Sequence, residues 1–410
     1  MDRRQFLTLA AALSAGAASL PSKAAVAASG AKEMRVVVAG AGIVGASIAY
    51  SLAKAGAEVT VIDAVGPASH ASRGTFAWIN ATWAKQPQHY HRLNQTSVDS
   101  WHELQEELQI PITWGGSIEW FASAERQQRL AEQIAEQVRW GEPAQMINAE
   151  KIADLEPRLR FGTQGLAAYS PNDGAVDPIL ATQLMLKGAQ SLGADIVYPN
   201  ELKSVSLDKG RLVSVKTTMG SIKADRLILA TGAAQELPKR IANIDIPQRT
   251  TPGIIGISEP MPRLLNSVVA APGVHLHQRS DGRFVIGEQA GAPASHEQRL
   301  VGRPNDFPSS QLVGEHGSRL LQAATEFLPD LKGTRMESVF IGWRPLPLDG
   351  HPVLGVNPDR PDVYLAIMHS GVSLAPIVGS LVAKEILSAE PAKNLEPYRP
   401  TREFANVSRY

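Results

Sequence analysis

Residues 34–63 of this 410-residue chain, "MRVVVAGAGIVGASIAYSLAKAGAEVTVID", constrain the fold more than any other stretch. A β-branched run over residues 35–39 gives way to glycines at Gly40, Gly42 and Gly45, then to a helical pattern, then to a second β-branched run ending on Asp63. That order reads as a βαβ unit. Each glycine answers a separate steric demand: Gly40 permits the tight turn out of the strand, Gly42 lets a pyrophosphate approach the backbone, and Gly45 lets helix and sheet pack closely. Gly40, Ala41, Gly42, Ile43, Val44 and Gly45 are therefore expected around a dinucleotide whose phosphates rest on the N–H groups and positive dipole end of the helix opened near Ile43. Asp63 is placed to accept hydrogen bonds from the adenosine ribose hydroxyls. The stretch alone does not separate a flavin from a nicotinamide dinucleotide.

Residues 1–30 read differently. Arg3 and Arg4, followed by Phe6 and Leu7, precede a mildly apolar Ala/Leu run to Leu20 and a tail of small residues. The run is shorter than the ~20 apolar residues of a membrane span, so a cleaved export signal is expected rather than an anchor. Arg-Arg-Gln-Phe-Leu resembles the twin-arginine signal, a route that carries folded, cofactor-loaded cargo. The expectation is a periplasmic protein with the twin-arginine translocase as partner during export, cleaved after Ala25, Ala27 or Ala28, with no stable membrane span afterwards. The chain has no cysteine, which excludes structural disulfides, thiolate metal sites, iron–sulfur clusters and a cysteine-linked flavin. No metal site is expected. Lys plus Arg equals Asp plus Glu at 40 each, so no general attraction to nucleic acid or anionic membrane is expected.

Beyond the leader, about 375 residues exceed what one core usually serves. A polar helix with apolar residues at helical spacing is expected over 124–141. Pro178 opens another helix that runs to about Gly193 and returns as a strand. Residues 210–233 read as a hairpin feeding a buried strand that ends at Ala230, Thr231 and Gly232. Residues 241–337 are strand-rich with one helix near 311–328, and the chain closes on a strand, a glycine turn and a long helix. Pieces of an α/β sheet thus alternate with other material. The expected fold class is α/β with an α+β insert. A discontinuous Rossmann-like dinucleotide domain (34–84, 145–240 and 337–400) would be interleaved with a strand-rich substrate domain (85–144 and 241–336).

Three further blocks follow the βαβ unit in order. Residues 67–80, "PASHASRGTFAWIN", hold an Ala-Ser-x-x-x-x-Gly loop; "PNELKSV" precedes the Ala230-Thr231-Gly232 turn; and "GWRPLPLDGHPVLG" is followed by "MHSGVSLAP". With them, nearly the whole chain beyond the leader resembles the D-amino acid oxidase/glycine oxidase/sarcosine oxidase (DAO) superfamily of flavoproteins. The resemblance implies bound FAD. Its ADP half would lie on the glycine loop, Asp63 and Ala64, with adenine near Leu202; Ser72, Arg73, Gly74 and Thr75 would carry the chain past the pyrophosphate and flavin. Ser370, Gly371, Val372, Ser373 and Leu374 would direct backbone N–H groups at the flavin pyrimidine, where negative charge develops on reduction.

The resemblance further implies that Arg344 binds a substrate carboxylate. A planar guanidinium gripping it bidentately fixes the reacting carbon, which lysine would not do. His369 is the second candidate active-site residue. The implied reaction is FAD-dependent oxidation of a small amine or amino acid of the D-amino acid, glycine or N-methyl amino acid type. Hydride leaves the carbon next to nitrogen and the imine formed hydrolyses, with oxygen or a respiratory carrier as electron acceptor. No dedicated base is required. Two departures bear on this: Asp63 stands where most relatives have Glu, and Ile367-Met368-His369 replaces a Gly-His or aromatic segment that normally borders the ring. A 2-hydroxy acid dehydrogenase, needing a base such as His369 or His351, is the alternative enzyme; a nicotinamide dehydrogenase would leave the C-terminal block unexplained; a non-catalytic flavin-binding subunit is the alternative of another class. His70 lies near the position where some relatives attach flavin covalently, with an offset differing by about two residues. Trp78 and Trp83 are expected near the flavin loop or as ordinary core aromatics.

Overall fold

The computed structural model describes residues 34–83, 85–162, 165–289, 300, 302 and 304–406; the expected export signal lies outside them. Helices are labelled α1 (Ile43–Lys54), α2 (Gln88–Leu108), α3 (Ala124–Arg139), α4 (Ala149–Leu155), α5 (Pro178–Ser191), α6 (Glu236–Ala242), α7 (Ser310–Phe327) and α8 (Gly371–Ser388). The opening unit falls on the residues expected of it: strand Arg35–Ala39, α1, and strand Glu58–Ile62.

A six-stranded sheet is built around that unit, in the order Val353–Asn357, Arg360–Ile367, Arg226–Leu229, Arg35–Ala39, Glu58–Ile62, Asp195–Val197. All neighbours pair in parallel except the Val353–Asn357 edge, which pairs antiparallel with Arg360–Ile367. Both faces are covered, which is why these strands read as continuous apolar runs. The period of two sorts them. Val36, Val38, Val59, Val61 and Ile228 pack with α1, α5 and α8; Val37, Ala39, Leu227 and Leu229 pack with α6 and with Leu202, Leu212 and Val215 of a three-stranded sheet. Burying side chains such as Ile48, Leu52 and Val378 in the first cluster contributes roughly 1.5–3 kcal/mol each.

α1 and α8 approach closely. A Cβ on Gly379 would lie 2.4 Å from Ser47 Oγ, and that hydroxyl donates to Ala375 O at 2.7 Å. α8 is long and apolar enough to cross a membrane by length and composition, yet most of it is buried in this core. Sequence reading passes over α2, within the segment expected to serve substrate. Its Tyr90, Leu93, Val98 and Trp101 pack in the same core as α1 and α8.

An eight-stranded sheet runs in the order Met336–Pro347, Gln248–Pro260, Arg283–Gly287, Val274–Gln278, Val268–Ala271, Ser117–Glu119, Ala167–Ser170, Gln145–Ile147. One face carries Ile254, Leu276, Phe284 and Ile286 under Leu320 and Ala324 of α7. On the other face, register sets Phe340 opposite Ile255, Ile255 opposite Gly287, and Gly287 opposite His275. Gly342 opposite Gly253 and Arg344 opposite Thr251 continue that face along the strand, since every second residue shares it. The observed α/β architecture with a strand-rich second sheet is the expected fold class.

Candidate active site

The ends of the parallel strands open on a cleft of about 530 Å³. Gly40 turns out of the first strand at φ +114°, and a Cβ there would stand 2.3 Å from Ala230 O. Gly45 is closer still: its Cβ would sit 1.9 Å from Gly40 O, so only hydrogen lets α1 pack at this angle. Gly42, the N-cap of α1, supplies no side-chain cap, and a Cβ there would meet Ser72 Oγ at 3.1 Å. That hydroxyl accepts from Ile43 N at 3.0 Å, bringing the loop of residues 67–80 over the helix N-terminus.

At one end of the cleft, Asp63 Oδ2 accepts from Ala41 N (2.8 Å), and Oδ1 accepts from Val65 N (2.9 Å) and Gly66 N (2.8 Å). A carboxylate offers about four acceptor sites. Asp63 therefore braces both loops and keeps acceptor capacity toward the cleft it lines.

The opposite end is the first turn of α8, whose N-cap Ser370 also makes no side-chain cap. Side chains from elsewhere hold this turn. Ser97 Oγ donates to Ser373 O (2.6 Å), Trp101 Nε1 to Val372 O (2.9 Å) and Ser373 Oγ to Trp78 O (2.9 Å); Tyr90 OH and Ser370 Oγ lie 2.8 Å apart. Both helix N-termini face one space, since Gly42 and Gly371 line the same cleft.

Most residues expected at the dinucleotide line one of two adjoining spaces. Gly40, Gly42, Ile43, Val44, Asp63, Ala64, Ser72 and Thr75 line the cleft, with Leu202, Ala230, Thr231, Gly232, Gly371 and Val372. Gly74, Ser370, Ser373 and Arg344 line an adjoining chamber. Four line neither space. Ala41 is fully buried and serves through its N–H to Asp63; Gly45 is packed under Gly40; Leu374 is fully buried in the core. Arg73 turns to Asn305 O (2.9 Å) and Asp306 (2.8 Å), with its guanidinium over the Phe340 ring. The donor set suits FAD: backbone N–H groups for phosphate, a carboxylate for ribose, and Thr231 Oγ1, a buried cleft hydroxyl with no partner among the described residues.

The adjoining chamber, about 190 Å³, is lined in part by residues that also line the cleft, among them Thr75, Trp343, Pro345 and His369. Its floor is the eight-stranded sheet face. Arg344 is half-buried, donates from Nη1 to Pro252 O at 3.0 Å, and has no carboxylate partner among the described residues. Room for it comes from Gly253, where a Cβ would stand 3.0 Å from Arg344 Nη2. Gly74 and Gly342 lie backbone to backbone, a Cβ on Gly342 meeting Gly74 O at 2.3 Å, which presses the loop of residues 67–80 onto the Arg344 strand.

Trp78 and Trp83 both line the chamber, their rings parallel with centroids 6.4 Å apart. Behind them, buried Asp173 accepts from Ser117 Oγ (2.6 Å), Trp78 Nε1 (3.0 Å) and Thr82 Oγ1 (3.2 Å), and burial pushes its carboxyl up to about 7. His275 and Glu288 also line the chamber and were not singled out in the sequence. Burial, reinforced by the charge of Arg344, lowers His275 to about 3, so it is neutral at ordinary pH. Burial likewise lowers its neighbour His277 to about 3. The second base candidate, His351, lines neither space; its Nε2 lies 3.1 Å from Gln86 O and its ring packs on Tyr90. His70 lines the cleft with Nδ1 3.0 Å from Ser69 Oγ and Nε2 3.0 Å from Asn305 Nδ2.

Comparison with known proteins agrees with this geometry. A family model described as DAO, FAD dependent oxidoreductase, matches residues 35–385. Glycine oxidase of Geobacillus kaustophilus is 28% identical over 384 residues, covering 91% of this chain and 98% of that protein. Dimethylglycine dehydrogenase of Rattus norvegicus is 26% identical over 386 residues, 89% of this chain and 44% of its own length. The crystal structure of L-proline dehydrogenase from P. horikoshii superposes with a TM-score of 0.79 at 26% identity, covering 90% of this chain and 97% of that one.

Proposed function

This chain belongs to the DAO family of FAD-dependent oxidoreductases, and from that premise we propose that it oxidises a small amino acid or amine carrying a carboxylate. The observation that carries this reading is Arg344: a half-buried guanidinium without an anionic partner among the described residues, in a chamber continuous with the FAD cleft. Glu288, the carboxylate lining the same chamber, is paired with Arg319 and not with Arg344, which leaves the Arg344 guanidinium open to an anion from outside. Anchored by Pro252 O on one side, its remaining N–H groups grip the substrate carboxylate and orient the carbon bearing nitrogen. FAD, when bound, supplies the acceptor for the hydride leaving that carbon. Trp78, Trp83 and Trp343 line the chamber with large apolar surface, and His369 lines both spaces. The N–H groups of the first turn of α8 would stabilise negative charge on a flavin bound against them.

The test is anaerobic mixing of the purified holoprotein with glycine, N-methylglycine, D- and L-proline, glycolate and lactate. Bleaching of flavin absorbance by one or more amino acids, and by neither hydroxy acid, supports the reading. Bleaching by hydroxy acids alone would transfer the site to the alternative chemistry, and none at all would leave a non-catalytic flavoprotein.

The address and electron acceptor are proposed on the leader sequence. Arg3 and Arg4 ahead of an apolar run support twin-arginine export to the periplasm, where oxygen or a respiratory carrier takes the electrons. Retention of the protein in the cytoplasm of cells lacking the twin-arginine translocase, against periplasmic recovery from normal cells, tests this.

A further inference from the structure

The chamber beside Arg344 holds a second charge that the proposed function does not use. Glu288 follows directly on the strand Arg283–Gly287, and its side chain is 9% exposed. One carboxylate oxygen, Oε1, accepts from Arg319 Nη1. The other, Oε2, is buried without a hydrogen-bond partner among the described residues. Arg319 also reaches His316 Nδ1 at 3.0 Å, so it is held as a backing group behind the carboxylate. Glu288 is the one carboxylate among the described residues lining this chamber, where the cations are Arg344 and Lys85. Lys85 Nζ lies 3.3 Å from Ser370 Oγ at the head of α8.

A buried carboxylate oxygen with no donor is an unfinished hydrogen bond. Burial pushes the Glu288 carboxyl upward, while Arg319 and Arg344 oppose this and favour the ionised form. In its ionised form such a carboxylate accepts and does not donate. His275, which lines the same chamber with its Nε2 also unpartnered among the described residues, is neutral and adds no positive charge that would repel a cationic ligand.

We propose that Glu288 Oε2 receives the N–H of the substrate's amino group while Arg344 holds its carboxylate, so that this chamber selects compounds carrying both groups. This rests on the carboxylate reading of Arg344 and names the substrate class more narrowly. A 2-hydroxy acid offers only one O–H to this acceptor, and a plain carboxylic acid offers nothing.

The experiment uses three ligands of one shape, none with a hydrogen on the reacting carbon and so none oxidisable: 2-aminoisobutyrate, 2-hydroxyisobutyrate and pivalate. Their binding to the flavin-loaded protein is measured by calorimetry for wild type, Glu288→Gln, Glu288→Asp and Arg344→Ala, with bound-flavin absorbance as the check on folding. Wild type is expected to bind the amino compound about 10- to 100-fold tighter than pivalate, as a hydrogen bond to a charged group allows. Glu288→Gln should erase that preference and leave pivalate within about twofold, Glu288→Asp should retain part of it, and Arg344→Ala should weaken all three ligands. If Arg344→Ala leaves pivalate binding unchanged, or wild type binds none of the three, the underlying carboxylate reading fails. If Arg344→Ala behaves as stated but Glu288→Gln weakens both compounds equally, or neither, Glu288 only braces Arg319 and the inference fails. Tightest wild-type binding of 2-hydroxyisobutyrate would also overturn it.

Discussion

The cleft and the chamber beside it are built from different materials. The cleft is made of backbone: glycines at Gly40, Gly42 and Gly45, the open first turns of α1 and α8, and small side chains between them. The chamber is made of side chains, Arg344, Glu288, His275, Trp78 and Trp83, set on a sheet face hollowed by Gly253, Gly287 and Gly342. A backbone site tolerates loss of side-chain atoms but not their addition. A side-chain site behaves the opposite way.

The strongest attempt to break that contrast adds atoms to the cleft. Gly45→Val would drive a side chain into the Gly40 carbonyl, from which even a Cβ is separated by only 1.9 Å. We expect more than about 3 kcal/mol of destabilisation and a protein purified without flavin, read by thermal unfolding and visible absorbance. Removing atoms from the chamber comes next. Arg344→Ala should lower kcat/KM by roughly 10²–10³ with FAD content unchanged, and Arg344→Lys should recover charge without orientation and only part of the rate.

The third prediction concerns the support of Trp78. Asp173 is raised to about 7 in the fold, above its unfolded value near 4. The folded state therefore binds this proton more tightly, and the associated stability, complete below about pH 4, is lost as pH rises toward 7. Asp173→Asn removes that loss. Its stability relative to wild type should climb by about 1.4 kcal/mol per pH unit across this window, measured by denaturant titration at a series of pH values. A flat difference would mean the carboxyl is ionised in place.

The smallest effect belongs to the cleft again. Ser72→Ala removes the acceptor of Ile43 N, 3.0 Å away, at a cost of about 0.5–1.5 kcal/mol, so the FAD dissociation constant should rise by no more than about tenfold. A loss of FAD binding as complete as that of Gly45→Val would show that the cleft depends on side chains after all.

The same contrast explains what the sequence made legible. Backbone sites leave glycine spacings and capless helix starts in contiguous sequence, so Gly40 through Asp63 and the turn at Gly371 could be read directly. Arg344 was legible through the short block around it. His275 was not, because its place depends on the pairing register of Val274–Gln278 with Arg283–Gly287, and a shift of one residue would turn it to the opposite face. Glu288 was not either, because it lies just past Gly287, the last paired residue of its strand, where no alternation read from the sequence assigns a face. Nothing local in "VHLHQ" states whether His275 or Leu276 faces the chamber. α2 was passed over for a related reason: its apolar residues Tyr90, Leu93 and Trp101 sit within a largely polar run, and what holds them is tertiary packing on α8. Ala41 and Leu374 were expected at the cofactor from their place in motifs, although the fold uses one through its N–H to Asp63 and buries the other.

The central claim is that one FAD molecule spans both helix N-termini and closes the Arg344 chamber with its ring. A crystal structure of the flavin-loaded protein tests it most directly. Pyrophosphate density is expected over Gly42 and Ile43, ribose against Asp63, and the ring between Gly371 and Arg344. Density placing the ring away from α8, or with Arg344 on a surface the flavin does not share, would contradict it.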